Sequence, residues 1–156
     1  MKKISDDRST SPTEAATHAW VTLMRTQQEL LAAIEGDLKQ AGLPQLSWYD
    51  VLLELSREPD GRLRPYQIEE RTLLTQYNLS RLIDRLEASG LVAKEAYGDD
   101  GRGRIIALTE KGRELRSNTW EVYGAAIASR VGSRLTDEEA KTLANLLSKL
   151  RAENSA

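Results

Sequence analysis

At 156 residues with 40% hydrophobic side chains, the chain has the length of one domain and enough apolar content to bury a real core. It contains no cysteine, which removes disulfides, thiolate catalysis and cysteine-based redox sensing. A net charge of −2 argues against a protein that coats nucleic acid by bulk charge, so a nucleic-acid reader here must gather its cations on one surface.

Residues 1–13 are polar and are expected to form a mobile arm. Lys2 and Lys3 are not followed by an apolar run, so neither a secretory signal nor a membrane anchor is expected, and the expected location is the cytoplasm. From Glu14, Trp20, Leu23, Met24, Leu30, Leu31, Ile34 and Leu38 recur at helical spacing up to the breaker Gly42-Leu-Pro44. The stripe is broader than one short partner needs, which predicts contact with a second subunit. Ser47-Trp-Tyr-Asp50 has the form of a capping box, predicting a helix with Trp48, Val51, Leu52 and Leu55 inward that ends before Pro59-Asp-Gly61. Leu63 is expected in a very short strand.

Pro65 suits the first turn of a helix, where its missing N–H costs nothing, and a short helix is predicted from Tyr66 to about Leu73. A second helix should begin near Thr75, whose hydroxyl is a candidate N-cap. At 100° per residue Leu79, Leu82, Ile83 and Leu86 share its inner face. Tyr77, Arg81 and Asp84 fall opposite, flanked by Ser80 and Arg85. Gly90 should close it, and Leu91–Tyr97 and Arg104–Thr109 have strand character around the turn Asp100-Gly101. Helix, turn, helix and hairpin in that order predict a winged helix-turn-helix. Thr109 is expected to cap a further helix, and a second box, Thr136-Asp-Glu-Glu139, to start a last one with Leu143, Leu146, Leu147 and Leu150 inward. Little of its own domain is left to cover that helix, so dimer contact is expected.

Candidate DNA-binding residues follow from placement. Gln76 and Asn78 lie near the N-terminal end of the second helix, where a recognition helix meets base edges. Asn and Gln match adenine and arginine matches guanine by two-pronged hydrogen bonding, which points to Arg81. Thr75, Tyr77, Ser80 and Arg85 complete the helix set, with Ser80 favoured as a phosphate contact. Arg102 and Arg104 are candidates for the narrow minor groove, whose negative potential favours arginine. Arg62 to Arg104 holds eight basic and seven acidic residues, so position and not net charge carries this reading. His18, the sole histidine, makes no metal site, and no nucleophile, metal cluster, nucleotide loop or cofactor motif appears, which argues against an enzyme.

Ile68 to Glu87, above all Ser80-Arg-Leu-Ile-Asp-Arg-Leu-Glu87 followed by Gly90-Leu-Val92, resembles the helix-turn-helix of the multiple-antibiotic-resistance regulator (MarR) family. Asp100-x-Arg102 with Ile106, Leu108, Thr109 and Gly112-Arg113 resembles that family's wing. The resemblance implies a mainly α fold with a small β-wing: a winged domain over residues 46–109 between dimerisation helices at 14–45 and 110–156. It further implies a homodimer on a pseudo-palindromic DNA operator, with Arg102 in the minor groove and Asp100 holding the wing shape. Many members are repressors released by small, often phenolic or anionic, ligands. Trp20, Trp48, Tyr49, Trp120 and Tyr123 are then candidates for lining an effector cavity, with Arg25 as an anion partner. Glu69 stands where the family usually has a small residue, and Leu73 near a turn where glycine is common. The alternative reading is a winged module that binds another protein without specific DNA contact.

Overall fold

The computed structural model describes residues 10–98, 101 and 103–152. In chain order the elements are α1 (Glu14–Gln40), α2 (Leu46–Arg57), β1 (Arg62–Leu63), α3 (Pro65–Arg71), α4 (Gln76–Ala88), β2 (Val92–Tyr97), β3 (Gly103–Leu108), α5 (Glu110–Ile127) and α6 (Asp137–Ala152). The chain divides into two compact units between Ala33 and Ile34, inside α1. No helix among the described residues is long and apolar enough to cross a membrane.

In the first unit, the Thr13 hydroxyl accepts from the Ala16 N–H at 3.0 Å and so caps the start of α1. Trp20, Met24 and Leu31 of this segment are exposed, Trp20 at 62%.

The second unit closes two apolar clusters. The larger joins Leu52 and Leu55 of α2, Ile68 of α3, Leu79, Leu82, Ile83 and Leu86 of α4 and Ile106 of β3. Each such side chain, fully buried, stabilises the fold by about 1.5–3 kcal/mol. The smaller is built on Ile34 and Leu38 of α1 and Ala126 of α5. The sheet is antiparallel in the order β1-β3-β2. Leu63 pairs with Ile106, so the two-residue strand expected at Leu63 forms and ties the loop before α3 to the hairpin.

Two expectations need correction. The capping box at Ser47 does not form, because α2 starts two residues earlier than that box requires, at Leu46, and its N-cap Gln45 makes no side-chain capping bond. The free Leu46 N–H donates instead to Glu35 Oε1 of α1 at 3.0 Å, a carboxylate at a helix N-terminus where the dipole favours negative charge. On α6, Leu143, Leu146 and Leu150 are not inward: they stand 45%, 54% and 59% exposed, since no described element of the second unit covers them. The box that starts α6 does form, with Glu139 N–H donating to Thr136 Oγ1 and Thr136 N–H to Glu139 Oε1. Between α5 and α6 the chain winds through a π turn, Ala128–Gly132, which Arg130 pins to Asp37 of α1 through Nε at 3.1 Å and Nη2 at 2.9 Å.

Candidate nucleic-acid interface

Pro65 occupies the first turn of α3, and Gln67 Oε1 accepts from the Arg64 N–H at 2.9 Å. The chain leaves α3 at Thr72, whose backbone is extended (φ −121°, ψ 172°). The Thr72 hydroxyl donates to the Ile68 carbonyl at 2.9 Å and accepts from the Leu74 N–H at 3.4 Å. No non-glycine residue among those described has a positive φ, so this turn needs no left-handed residue. That is why Leu73 can stand where glycine is common. Its side chain is fully exposed.

Thr75 caps α4 as expected, accepting from the Asn78 N–H at 3.4 Å. Leu79, Leu82, Ile83 and Leu86 are between 0% and 6% exposed and hold the helix on the core. Gly90, at φ 75°, takes the left-handed position after the last turn, with its N–H donating to the Glu87 carbonyl and that of Leu91 to Leu86. Thr75, Gln76, Tyr77, Asn78, Ser80, Arg81 and Arg85 therefore share an exposed strip on a helix fixed from behind. Tyr77 is 68% exposed and not packed into the protein. Arg81 Nη1 donates to its hydroxyl at 3.1 Å, with the guanidinium 5.4 Å from the ring centroid.

The electrostatics of the strip depend on a residue that the sequence did not single out. Lys94, on β2, bonds Asp84 through Nζ and lies 3.8 Å from Glu87, while its backbone N–H donates to Glu87 Oε2 at 3.1 Å. The hydrogen bond to Asp84 is the main cause of the raised Lys94 pKa. Arg62 reaches across β3 to Glu95 with two hydrogen bonds, and Arg71 pairs with Glu58 at 2.6 Å. Exposed pairs of this kind add little stability. Lys94 alone offsets acids of α4, Asp84 and Glu87, while Arg81 and Arg85 make no ion pair among the described residues. A chain of net −2 thus carries free cations on one helix face.

At the hairpin, Tyr97 lies against Gly103, where an added Cβ would meet the ring at 2.8 Å, and Arg64 stacks on Tyr97 at 4.1 Å. Arg104 Nη1 donates to the Gly101 carbonyl at 2.7 Å and to that of Gly103 at 3.2 Å, so this exposed arginine braces the turn. Asp100 and Arg102 lie outside the described residues. A cleft of about 630 Å³ between α3, α4 and the hairpin is lined by Gln76 and Ser80 on one side and by Lys94, Tyr97 and Arg104 on the other.

Of the aromatic candidates for an effector site, three come together. Tyr49 stacks on Trp120 (centroids 6.2 Å, 17°) and meets Tyr123 edge-on at 5.3 Å, with Trp120 and Tyr123 5.8 Å apart. Burial raises the Tyr49 phenol, against an opposing contribution from Arg116, and raises that of Tyr123, with Asp50 adding to it. Arg116 beside Tyr49 was not anticipated, since the two lie far apart in sequence. Trp48 packs instead against the larger cluster, half-buried. Trp20 and Arg25 belong to the first unit and are exposed.

A short helix, a tight turn, a second helix with an exposed polar strip and an antiparallel hairpin define a winged helix-turn-helix protein. The MarR family profile matches residues 41–103. An uncharacterized HTH-type transcriptional regulator of Bacillus subtilis, YkoM, is 35% identical over 89 residues, a match spanning 57% of this chain and 57% of that protein. Among solved structures, Sco3205 of Streptomyces coelicolor, a MarR family transcriptional regulator in complex with DNA, superposes with a TM-score of 0.84 at 26% identity, over 96% of this chain and 92% of that one. AbsC, another MarR family regulator from the same organism, gives 0.82 at 26% identity over 93% and 97%. Residues 41–103 thus match the MarR family, and the fold is that of MarR family winged-helix transcriptional regulators.

Proposed function

We propose that the protein binds double-stranded DNA in a sequence-specific manner as a homodimer, with one winged domain (46–109) per half-site of a pseudo-palindromic operator, and acts as a ligand-responsive repressor. The observation that carries this reading is the α4 strip, where Arg81 and Arg85 make no ion pair among the described residues while Lys94 offsets Asp84 of the same helix. The DNA-bound state of Sco3205 supports it. The helices at 14–45 and 110–156 serve as the dimerisation region, which accounts for the exposed leucines of α6. Gln76, Asn78 and Arg81 read bases, Thr75, Ser80 and Arg85 anchor to phosphates, and Arg102 enters the minor groove with Arg104 bracing the hairpin. An effector of small aromatic or anionic character engages the Tyr49, Trp120 and Tyr123 group, where Arg116 supplies a cation.

The test is an anisotropy titration at moderate salt against DNA from upstream of the protein's own gene and against a shuffled duplex. Preference for the upstream duplex is expected, and replacing Arg102 with Ala lowers the salt slope by about one unit. Equal, weak binding to both duplexes would overturn the proposal in favour of a protein-binding module.

A further inference from the structure

The hydrogen bond from Arg81 to Tyr77 fixes more than a side-chain conformation. A phenolic oxygen that accepts a hydrogen bond from a guanidinium directs its own proton away from it, toward a different acceptor. Arginine has five N–H donors and no acceptor, so one donor is spent on Tyr77 and the rest of the planar fork remains free. The two residues lie one turn apart on the exposed face of α4 with the guanidinium 5.4 Å from the ring centroid, and Tyr77 is 68% exposed. Neither side chain contributes to the apolar core.

We propose that Tyr77 and Arg81 act as one recognition unit that presents hydrogen-bond donors only, and that Tyr77 both positions Arg81 and reads the base next to it. This rests on the DNA-binding function proposed above. In the major groove a guanine offers two acceptors, N7 and O6, thymine offers O4, and adenine offers N7 beside an amino donor, whereas cytosine offers an amino donor alone. A donor-only pair therefore selects guanine, with its two adjacent acceptors, under the arginine fork, and beside it, under the single tyrosine O–H, a base that offers an acceptor, which excludes cytosine. Adenine under the fork would set its amino group against one prong, and cytosine at either position would meet a donor with no acceptor at all; the mismatch is costly because the site is desolvated on binding. Tyr77 is thus a specificity-determining residue, and the hydroxyl rather than the ring is what specifies.

The experiment is selection of bound duplexes from a randomised pool by the full chain, by Tyr77→Phe and by Arg81→Ala, followed by anisotropy on the selected sites. Both side chains are exposed, so the variants should keep the wild-type unfolding curve, and circular dichroism checks this. The wild type should enrich a guanine and exclude cytosine from the adjacent position. Arg81→Ala should lose discrimination at the guanine by about tenfold or more. Tyr77→Phe, which keeps the ring, should lose discrimination at the adjacent base and weaken it at the guanine. A Tyr77→Phe profile identical to the wild type, or a loss uniform across all sequences, overturns the recognition unit while leaving DNA binding intact. Absence of any enriched sequence for the wild type overturns both proposals.

Discussion

Leu52, Leu55, Ile68 and Leu86 of the winged lobe have no exposed surface at all, whereas Leu143 and Leu146 of α6 stand 45% and 54% exposed. Both sets come from amphipathic helices of the same period. The difference is what faces them: in the lobe three helices and a sheet converge on one cluster, while no described element of the second unit covers the apolar face of α6. A large exposed apolar face on an otherwise polar helix marks an interaction surface. One region is therefore complete within a single chain, and the other is complete only in the proposed dimer.

The largest expected effect tests that completeness. Ile68→Ala should cost about 2–5 kcal/mol in urea unfolding, the range for truncating a fully buried aliphatic side chain. A cost far below this would mean that the lobe's core is not closed. Next, replacing Leu143 and Leu146 together with Asp should leave the helical content of the isolated chain intact but halve the mass seen by light scattering and weaken binding to a two-half-site duplex by about tenfold or more. An unchanged mass would place the subunit contact elsewhere. Thr75→Ala removes the cap of α4 and should cost about 0.5–1 kcal/mol, the low end for an N-cap because its bond to Asn78 is long at 3.4 Å.

The smallest effect concerns the joint between α1 and α2. The Asp50 carboxyl is held above its ordinary value by burial first and by Glu35 and Glu54 after that. A carboxyl raised in the folded state binds its proton more tightly there than in the unfolded chain, so its contribution favours folding in acid and is lost as pH rises through the folded value. Asp50→Asn should therefore stabilise the protein at neutral pH, and the gain should vanish as pH falls below the ordinary Asp value of 3.8. A thermal-melt difference between the two proteins that does not change with pH would remove the carboxylate from this balance.

Much of the fold is visible in the sequence because its signals are local. Thr75, Thr109, Gly90 and the Thr136–Glu139 box each act within four residues, and each takes the role that its spacing predicts. The seating of α4 is legible for the same reason, since Leu79, Leu82, Ile83 and Leu86 are set by helical period alone. Ser47 misleads because its box competes with a partner that the local pattern does not contain: Glu35, eleven residues before Leu46, reaches the N-terminus of α2 first. The same limit hides the pairing of Lys94 with Asp84, formed once the hairpin packs on α4, and of Arg62 with Glu95, formed once β1 joins the sheet. It also hides the Arg130–Asp37 link, ninety-three residues apart. The strip of candidate residues was therefore readable, whereas the reason that its cations are free was not.

The central claim, that the open apolar helices bring two winged lobes onto one DNA site, is tested most directly by the stoichiometry of the complex. Sedimentation of the purified chain with a duplex carrying the selected site should give two 17.4 kDa chains per duplex, even at the lowest protein concentration that forms a complex. A complex of one chain per duplex, with the same affinity and base preference, would contradict it.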